Sequence, residues 1–153
     1  MSAPAQMAPA APLLVASRLF GPLSVPPEDI IVMPKGMLGF AGERRFVLLP
    51  AAPEGIFWLQ SVDDGALIFL LVDPFKFFPD YVVESAEIPE PGPDERVAVL
   101  SIVTLPHQRG GACTANLQGP VVIQFPERQA RQVILTDQHY QTRHELDLRA
   151  SLK

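Results

Sequence analysis

The side chains of this sequence best suited to nucleophilic or metal chemistry are its single cysteine and its three histidines. Cys113 follows His107 by six residues, and a thiol beside an imidazole could form a nucleophile pair. No motif around them orients the two side chains, so the favoured interpretation of Cys113 is an ordinary cysteine at a strand end. His139 and His144 are five residues apart, which suits neither a helix face nor one face of a strand. We therefore expect solvated loop histidines and no metal site.

Motifs that mark common enzyme classes are absent from the sequence. It has no nucleophile elbow, no phosphate-binding loop that ends in Gly-Lys-Ser/Thr, and no dinucleotide fingerprint. The stretch PKGMLG at 34–39 contains two glycines but has none of these spacings. It is expected to form a turn in which the glycines adopt unusual backbone angles. The sequence predicts no catalytic residue, no cofactor and no metal, and hence no enzyme.

Aromatic side chains are the more informative group. Phe75, Phe77, Phe78 and Tyr81 fall within seven positions. One interpretation is that all four plug one end of a barrel. The other is that one or two stay exposed as anchors for a protein partner, because aromatic residues are enriched in interface hot spots. Trp58, inside an apolar strand, is predicted to lie in the core.

Short apolar runs alternate with turn signals along most of the chain, a pattern typical of an antiparallel barrel or sandwich. We predict a mainly β, small antiparallel barrel-like domain with one short helix. The Asp64-Gly65 step favours the positive φ of a tight hairpin turn. The helix is expected to start at Asp73-Pro74 and to end before Pro79. The predicted strands are Leu14 to Phe20, Asp29 to Met33, Phe46 to Leu49, Ile56 to Val62, Ala66 to Val72, Tyr81 to Glu84, Val97 to Leu105, Thr114 to Leu117, Val121 to Phe125 and Gln132 to Leu135.

Length and charge limit the class of protein further. The chain has 153 residues, enough for one domain, and its formal net charge is −5. An acidic chain is a poor direct binder of nucleic acid or of an anionic membrane surface. The longest apolar run is strand length, and a single cysteine suits a reducing compartment, so we expect a cytoplasmic protein. The predicted organisation is a disordered Ala/Pro-rich extension at 1–12, a barrel domain at 13–144 and a tail at 145–153.

Seven segments in order, over about residues 19–144, resemble the FliW family of flagellar assembly factors. They are VMPKGMLGF at 32–40, FVLLP at 46–50, FWLQSVDD at 57–64, VDPFKFFPDY at 72–81, VAVLSIVT at 97–104, TANLQGPVVI at 114–123 and QVILTDQHYQTRH at 132–144. The resemblance implies a non-enzymatic β-barrel that acts by binding proteins. Its expected partners are flagellin in the cytoplasm and the translational regulator CsrA, which the family antagonises allosterically, so that flagellin synthesis is coupled to export.

The resemblance also suggests which residues contact a partner. The segment from residue 73 to residue 84 combines acidic and aromatic groups at the expected junction of strand and helix. Asp80, Tyr81 and Glu84 are the predicted contacts with the regulator, and Phe75 and Phe78 are the predicted anchors or supports. Asp73 belongs to the same predicted partner-binding segment. A purely structural role for the stretch stays open. Asn116 is expected to bond the backbone at a strand end. The free protein is expected to be a monomer.

Two other functions stay open on the sequence alone. The protein could be a chaperone of flagellin only, without a role in translation. It could also be a ligand-binding or enzymatic small barrel with a pocket that holds Cys113 and His107. The Ala/Pro-rich start and the stretch Pro89 to Pro93 depart from the family pattern, which leaves the set of partners open.

Overall fold

The structure is a computed structural model and describes residues 11–52, 54–84, 88–106 and 110–148. It contains eleven strands, one short helix and one turn of 3-10 helix at Pro27–Asp29. In chain order the strands and the helix are β1 (Leu13–Ser17), β2 (Gly21–Val25), β3 (Ile31–Val32), β4 (Arg45–Ala51), β5 (Ile56–Ser61), β6 (Ile68–Val72), α1 (Pro74–Phe77), β7 (Arg96–Thr104), β8 (Cys113–Ala115), β9 (Val121–Phe125), β10 (Gln129–Gln132) and β11 (His144–Leu146). No helix among the described residues is long and apolar enough to cross a membrane.

Seven of the strands close into a barrel. They follow one another in the order β7, β6, β5, β4, β3, β10, β9, and the pairing of β9 with β7 completes the ring. Every pairing in the ring is antiparallel except the short one between β3 and β10. The strands β8 and β11 extend the sheet beyond the last residues of β7. The predicted fold class, a mainly β barrel-like domain with one short helix, is therefore confirmed.

Apolar residues at alternate positions fill the barrel, because successive side chains of a strand point to opposite faces. On β5 and β6 the inward side chains include Leu59 and Leu71, and on β9 they include Val121 and Ile123. These side chains pack on Phe46 and on the neighbouring strands as one buried cluster. In β6 the outward side chains Leu70 and Val72 are buried as well, so the sequence shows a continuous apolar run there.

A second apolar cluster covers the outer face of β6 and β7. Leu70, Val72 and Val103 point outward there and are covered by Tyr81 and by residues of the C-terminal segment. Two more aromatic residues around α1, Phe77 and Phe78, pack on the same cluster. The interpretation that all four aromatic residues plug one end of the barrel is wrong, because these three pack on its outer side and Phe75 is largely exposed.

A separate two-stranded sheet, β1 with β2, lies outside the ring. Val15 and Val25 pack on Val47 and Val62, which hold this sheet against the barrel. The sequence predicts β1 but not β2, because Gly21 and Pro22 read as a turn. Within the described part of the chain β2 pairs on one side only, so Pro22 can occupy this strand.

Other differences from the predicted strands have local causes. Tyr81 to Glu84 forms no strand: the N–H of Tyr81 donates to the Phe78 carbonyl and that of Val82 to the Tyr140 hydroxyl, so neither enters a ladder. The predicted strand Gln132 to Leu135 lies three residues earlier, in β10. The strand β11, three residues long and rich in polar groups, was not predicted, and it enters the segment 145–153 that we expected to be a tail.

The hairpin of β5 and β6 is confirmed, but its turn is built differently from the prediction. Gly65 does not have a positive φ. A Cβ atom at this position would lie 1.8 Å from the carbonyl oxygen of Ala16, so glycine is needed for the close approach of β1. The glycines of the PKGMLG stretch behave as predicted: Gly36 and Gly39 have φ of 68° and 85°.

Candidate functional site

The helix α1 starts as the sequence predicts. The Asp73 carboxylate accepts a hydrogen bond of 3.0 Å from the backbone N–H of Phe75, and Pro74 occupies the first helical position. The helix ends after one turn, where the N–H of Phe78 donates to the Pro74 carbonyl. This short helix sends Phe75 and Phe78 to the surface next to β7 and β11, and Phe75 remains 44% exposed.

Tyr81 anchors the segment that follows the helix. Its ring is buried, and its hydroxyl donates a 2.7 Å hydrogen bond to the Leu117 carbonyl oxygen. Burial raises the pKa of the Tyr81 phenol above its ordinary value, and the nearby Tyr140 adds to the increase. The side chain thus stays neutral and joins the segment after α1 to the loop after β8.

Aromatic rings continue from Tyr81 in two directions. The Tyr81 ring lies 5.5 Å from the Phe75 ring and 4.7 Å, edge to face, from the Tyr140 ring. Tyr140 in turn accepts a hydrogen bond from the N–H of Val82 and faces His144 at 6.4 Å. Residues far apart in the chain therefore form one continuous aromatic surface.

An open cleft of about 260 Å³ lies over this aromatic surface. Its walls combine apolar rings with one carboxylate, that of Asp80, and with the imidazole of His144. The residues that line it are Phe77, Phe78, Pro79, Asp80, Tyr81, Leu117, Tyr140 and His144. A half-exposed aromatic floor with an acidic rim can bind an apolar side chain of a partner protein that has a basic residue next to it.

The structure brings only some of the predicted contact residues together. Phe78, Asp80 and Tyr81 line the cleft, whereas Asp73 and Phe75 line a different cavity, between α1 and β7. Glu84 is exposed and lines neither cavity. Tyr81 is 4% exposed, so it supports the surface from below and offers little area to a partner.

The C-terminal segment adds residues that the sequence did not predict for this surface. His144 is half-buried: its Nε2 accepts a hydrogen bond from the N–H of Gln141, and its ring packs on Phe78 at 6.0 Å. The expectation of a solvated loop histidine is therefore wrong for His144. It holds for His139, which is exposed and pairs with Asp137. The polar run around Tyr140 carries no pattern that could have predicted the contact.

The nucleophile pair suggested by the sequence consists of His107 and Cys113. His107 lies outside the described residues. Cys113 is a half-buried free thiol that packs on the second apolar cluster. Among the described residues no group of three His, Cys, Asp or Glu side chains could hold a metal ion. Asn116 behaves as predicted, since its side-chain oxygen accepts hydrogen bonds from the N–H groups of Gln118 and Gly119.

Comparisons with known proteins agree on one family. The family model described as FliW protein matches residues 14–146. The chain is 36% identical to the flagellar assembly factor FliW of Natranaerobius thermophilus over 137 residues, which cover 86% of this chain and 91% of that protein. It is 40% identical to the FliW of Heliobacterium modesticaldum over 137 residues, 86% of this chain and 89% of that one. A solved crystal structure of the flagellar assembly factor FliW superposes with a TM-score of 0.75 at 34% identity, covering 86% of this chain and 95% of that chain.

Proposed function

The chain belongs to the FliW family of flagellar assembly factors, and from that membership we propose that it acts by binding proteins, without catalysis. Its proposed partners are flagellin, bound in the cytoplasm, and the translational regulator CsrA. Binding of CsrA would antagonise the regulator at a distance from its RNA-binding surface. Flagellin export would then free the factor to bind CsrA and relieve repression of flagellin synthesis.

The observation that carries this proposal is the match to the family over 133 consecutive positions, residues 14–146. Those positions include the helix α1, the Tyr81 anchor and the strand β11, so the whole aromatic surface lies within the matched region. The residues that line the cleft all lie within the range that the family model matches.

Charge and surface chemistry support protein partners. The formal net charge of −5 favours encounter with a basic, RNA-binding protein, because opposite potentials increase association rates. Asp80 supplies one of these charges at the rim of the aromatic cleft. Phe78 lines the same cleft and, half-buried, offers an apolar surface of the kind found in interface hot spots.

Calorimetric titration tests the proposal. The protein is titrated with CsrA and, separately, with flagellin from the same organism, and each complex is then challenged with the other partner. We expect saturable, roughly stoichiometric binding to both, and release of one partner by the other. Binding of flagellin alone would reduce the function to that of a chaperone. Binding of neither partner would contradict the proposal.

A matched pair of variants tests the chemistry that the cysteine could supply. Cys113→Ala removes the thiol, and Cys113→Ser replaces it with a hydroxyl of similar size. We expect both variants to bind the two partners with unchanged affinity. A loss of binding by Cys113→Ala in a protein that remains folded would favour a functional role for this side chain.

A further inference from the structure

The wall of the barrel has a gap beside β6. β6 ends at Val72, which pairs with Ser101, and the chain then turns away into α1. β7 continues for five more residues on that side, Arg96 to Leu100, and these pair only with β9 on their other edge. The edge of β7 that would continue the pairing with β6 has no strand beside it among the described residues.

Hydrogen bonds show which backbone groups of β7 face this gap. The N–H of Asn116 donates to the carbonyl of Ile102, so the backbone of Ile102 faces β8. Because backbone groups alternate along a strand, those of Val97 and Val99 face the opposite way, toward the gap. The bond from the N–H of Val133 to the carbonyl of Pro120 agrees, since it turns the odd-numbered residues of β9 toward β7. Within the described residues no backbone or side-chain hydrogen bond is recorded for Val97 or Val99 on this edge.

The gap is a recessed slot of about 340 Å³. Its inner side is formed by Phe57, Ala98 and Leu100, which pack on the barrel core, and its outer side includes Phe75 and Val99. A strand placed in the slot would therefore have apolar surroundings on both faces. Because α1 overhangs the β7 edge, a single peptide fits more readily than the edge of a second barrel.

Charged side chains at the rim of the slot favour a basic residue in the bound segment. Glu54 and Asp73 line the slot beside the end of β6, with the Lys76 ammonium 3.6 Å from the Glu54 carboxylate. The Glu54 side chain is 91% exposed, so its charge is available to a ligand. The charged residues that line the slot are two carboxylates and one ammonium, an excess of one negative charge that favours a basic residue next to the inserted strand.

We propose that this slot is a strand-addition site, which binds an extended apolar segment of a partner protein with a basic residue at its end. The inserted segment would continue the line of β6 and hydrogen-bond to the N–H and C=O groups of Val97 and Val99. Five residues of β7 offer an edge of about 17 Å, the length of an ordinary strand. The inference rests on the barrel geometry and holds whichever proteins prove to be the partners.

Amide hydrogen exchange tests the free protein first. The N–H groups of Ala98 and Leu100 pair with β9 and are expected to exchange slowly, whereas those of Val97 and Val99 are expected to exchange quickly. Slow exchange at Val97 and Val99 in the free protein at low concentration would overturn the proposal. Protection that grows with protein concentration would show that a second copy fills the slot, which also contradicts it.

A synthetic peptide then serves as the ligand, acetyl-Lys-Thr-Val-Val-Val-Thr-Lys-amide, followed by nuclear magnetic resonance up to millimolar concentration. Saturable binding should slow exchange at Val97 and Val99 and leave Ala98 and Leu100 unchanged. The control peptide carries N-methyl groups at alternate residues, which remove donors on one edge. Loss of about two hydrogen bonds should weaken its binding roughly thirtyfold. Absence of binding, or equal binding of the two peptides, would overturn the proposal.

A pair of protein variants tests the same contact from the other side. Val99→Pro removes an N–H that no ladder uses, and Val99→Thr keeps it with a side chain of the same shape. We expect Val99→Pro to bind the peptide roughly tenfold more weakly and Val99→Thr to bind within about threefold of the parent protein. Equal affinity of the two folded variants contradicts strand addition, and if Val99→Pro does not fold, the methylated peptide decides the question.

Discussion

The hydroxyl of Ser17 donates a 2.7 Å hydrogen bond to the side-chain oxygen of Gln60, and both side chains are buried. Ser17 ends β1 and Gln60 lies in β5, so this bond joins the separate two-stranded sheet to the barrel. The amide nitrogen of Gln60 donates to the Ser61 carbonyl at 2.9 Å. The contact thus supplies partners for polar groups that water cannot reach.

Removal of the Ser17 hydroxyl should destabilise the protein. Ser17→Ala leaves the oxygen of Gln60 buried without its donor, which costs about 1–3 kcal/mol of the free energy of unfolding. Urea unfolding measures the loss. Ser24→Ala, on the exposed face of β2, is the control and should change stability by less than about 0.5 kcal/mol. Similar stabilities of the two variants would mean that the buried bond contributes nothing.

Gly65 should tolerate no side chain. The Cβ atom of Gly65→Ala would lie 1.8 Å from the Ala16 carbonyl oxygen, which is backbone and cannot turn aside. We expect a loss of about 3 kcal/mol or more, since β1 must separate from the hairpin of β5 and β6. Gly42→Ala is the control: nothing lies within 4 Å of its Cβ, and its φ is not positive. That variant should be neutral or more stable by up to about 1 kcal/mol in thermal unfolding.

The sequence predicted those elements whose signals are local. The apolar run after the Gly119-Pro120 turn signal predicted β9 to the residue, and the Asp73-Pro74 start of α1 depends on a cap and a proline next to each other. The sequence did not predict β2 because Gly21 and Pro22 are typical of turns. The strand forms nevertheless, because it pairs with β1. Gly65 was assigned to the right turn, but for a positive φ that it does not have. Glycine is needed because of Ala16, which lies almost fifty positions away in the chain.

The candidate site was predicted only where its residues follow one another in the chain. Phe78 and Asp80 reach the cleft from the segment that the sequence singled out. Tyr140 and His144 come from a polar run whose contact with Tyr81 depends on the path of the whole C-terminal segment. The sequence did not predict the burial of Tyr81 either, because the Leu117 carbonyl that accepts the hydrogen bond from its hydroxyl is 36 residues away.

Tyr81→Phe should lower the free energy of unfolding at neutral pH and change how that free energy depends on pH above about 10. Loss of the hydrogen bond to Leu117 costs about 1–2 kcal/mol. Burial raises the pKa of Tyr81 in the folded state, so above pH of about 10 the unfolded chain ionises first and the stability of the parent protein falls. The variant lacks this effect, and urea unfolding between pH 8 and 11.5 should show the two stability curves converging as the pH rises. Parallel curves would mean that Tyr81 ionises equally in both states.

Tyr140→Phe is the neutral-pH comparison for this variant. Its hydroxyl accepts a hydrogen bond from the N–H of Val82, a residue that is 62% exposed. Water can replace that acceptor, so the loss should stay below about 1 kcal/mol. A larger loss than that of Tyr81→Phe would place the anchor of this segment at Tyr140 instead.

Charge at and beside the rim of the aromatic cleft should govern how fast CsrA, a proposed partner, associates. The double variant Asp80→Lys/Glu84→Lys reverses two exposed carboxylates, and Glu28→Lys/Glu127→Lys reverses two that lie elsewhere on the surface. Each reversal adds two charges, so both variants move the formal net charge from −5 to −1. A difference between them therefore reports the position of the charges and not their sum. Stopped-flow association at low salt should be slower by about tenfold for the first variant, and the difference should narrow at high salt because ions screen exposed charges. Equal association rates for the two variants would contradict an acidic contact at this rim. CsrA would then bind a different surface of the barrel.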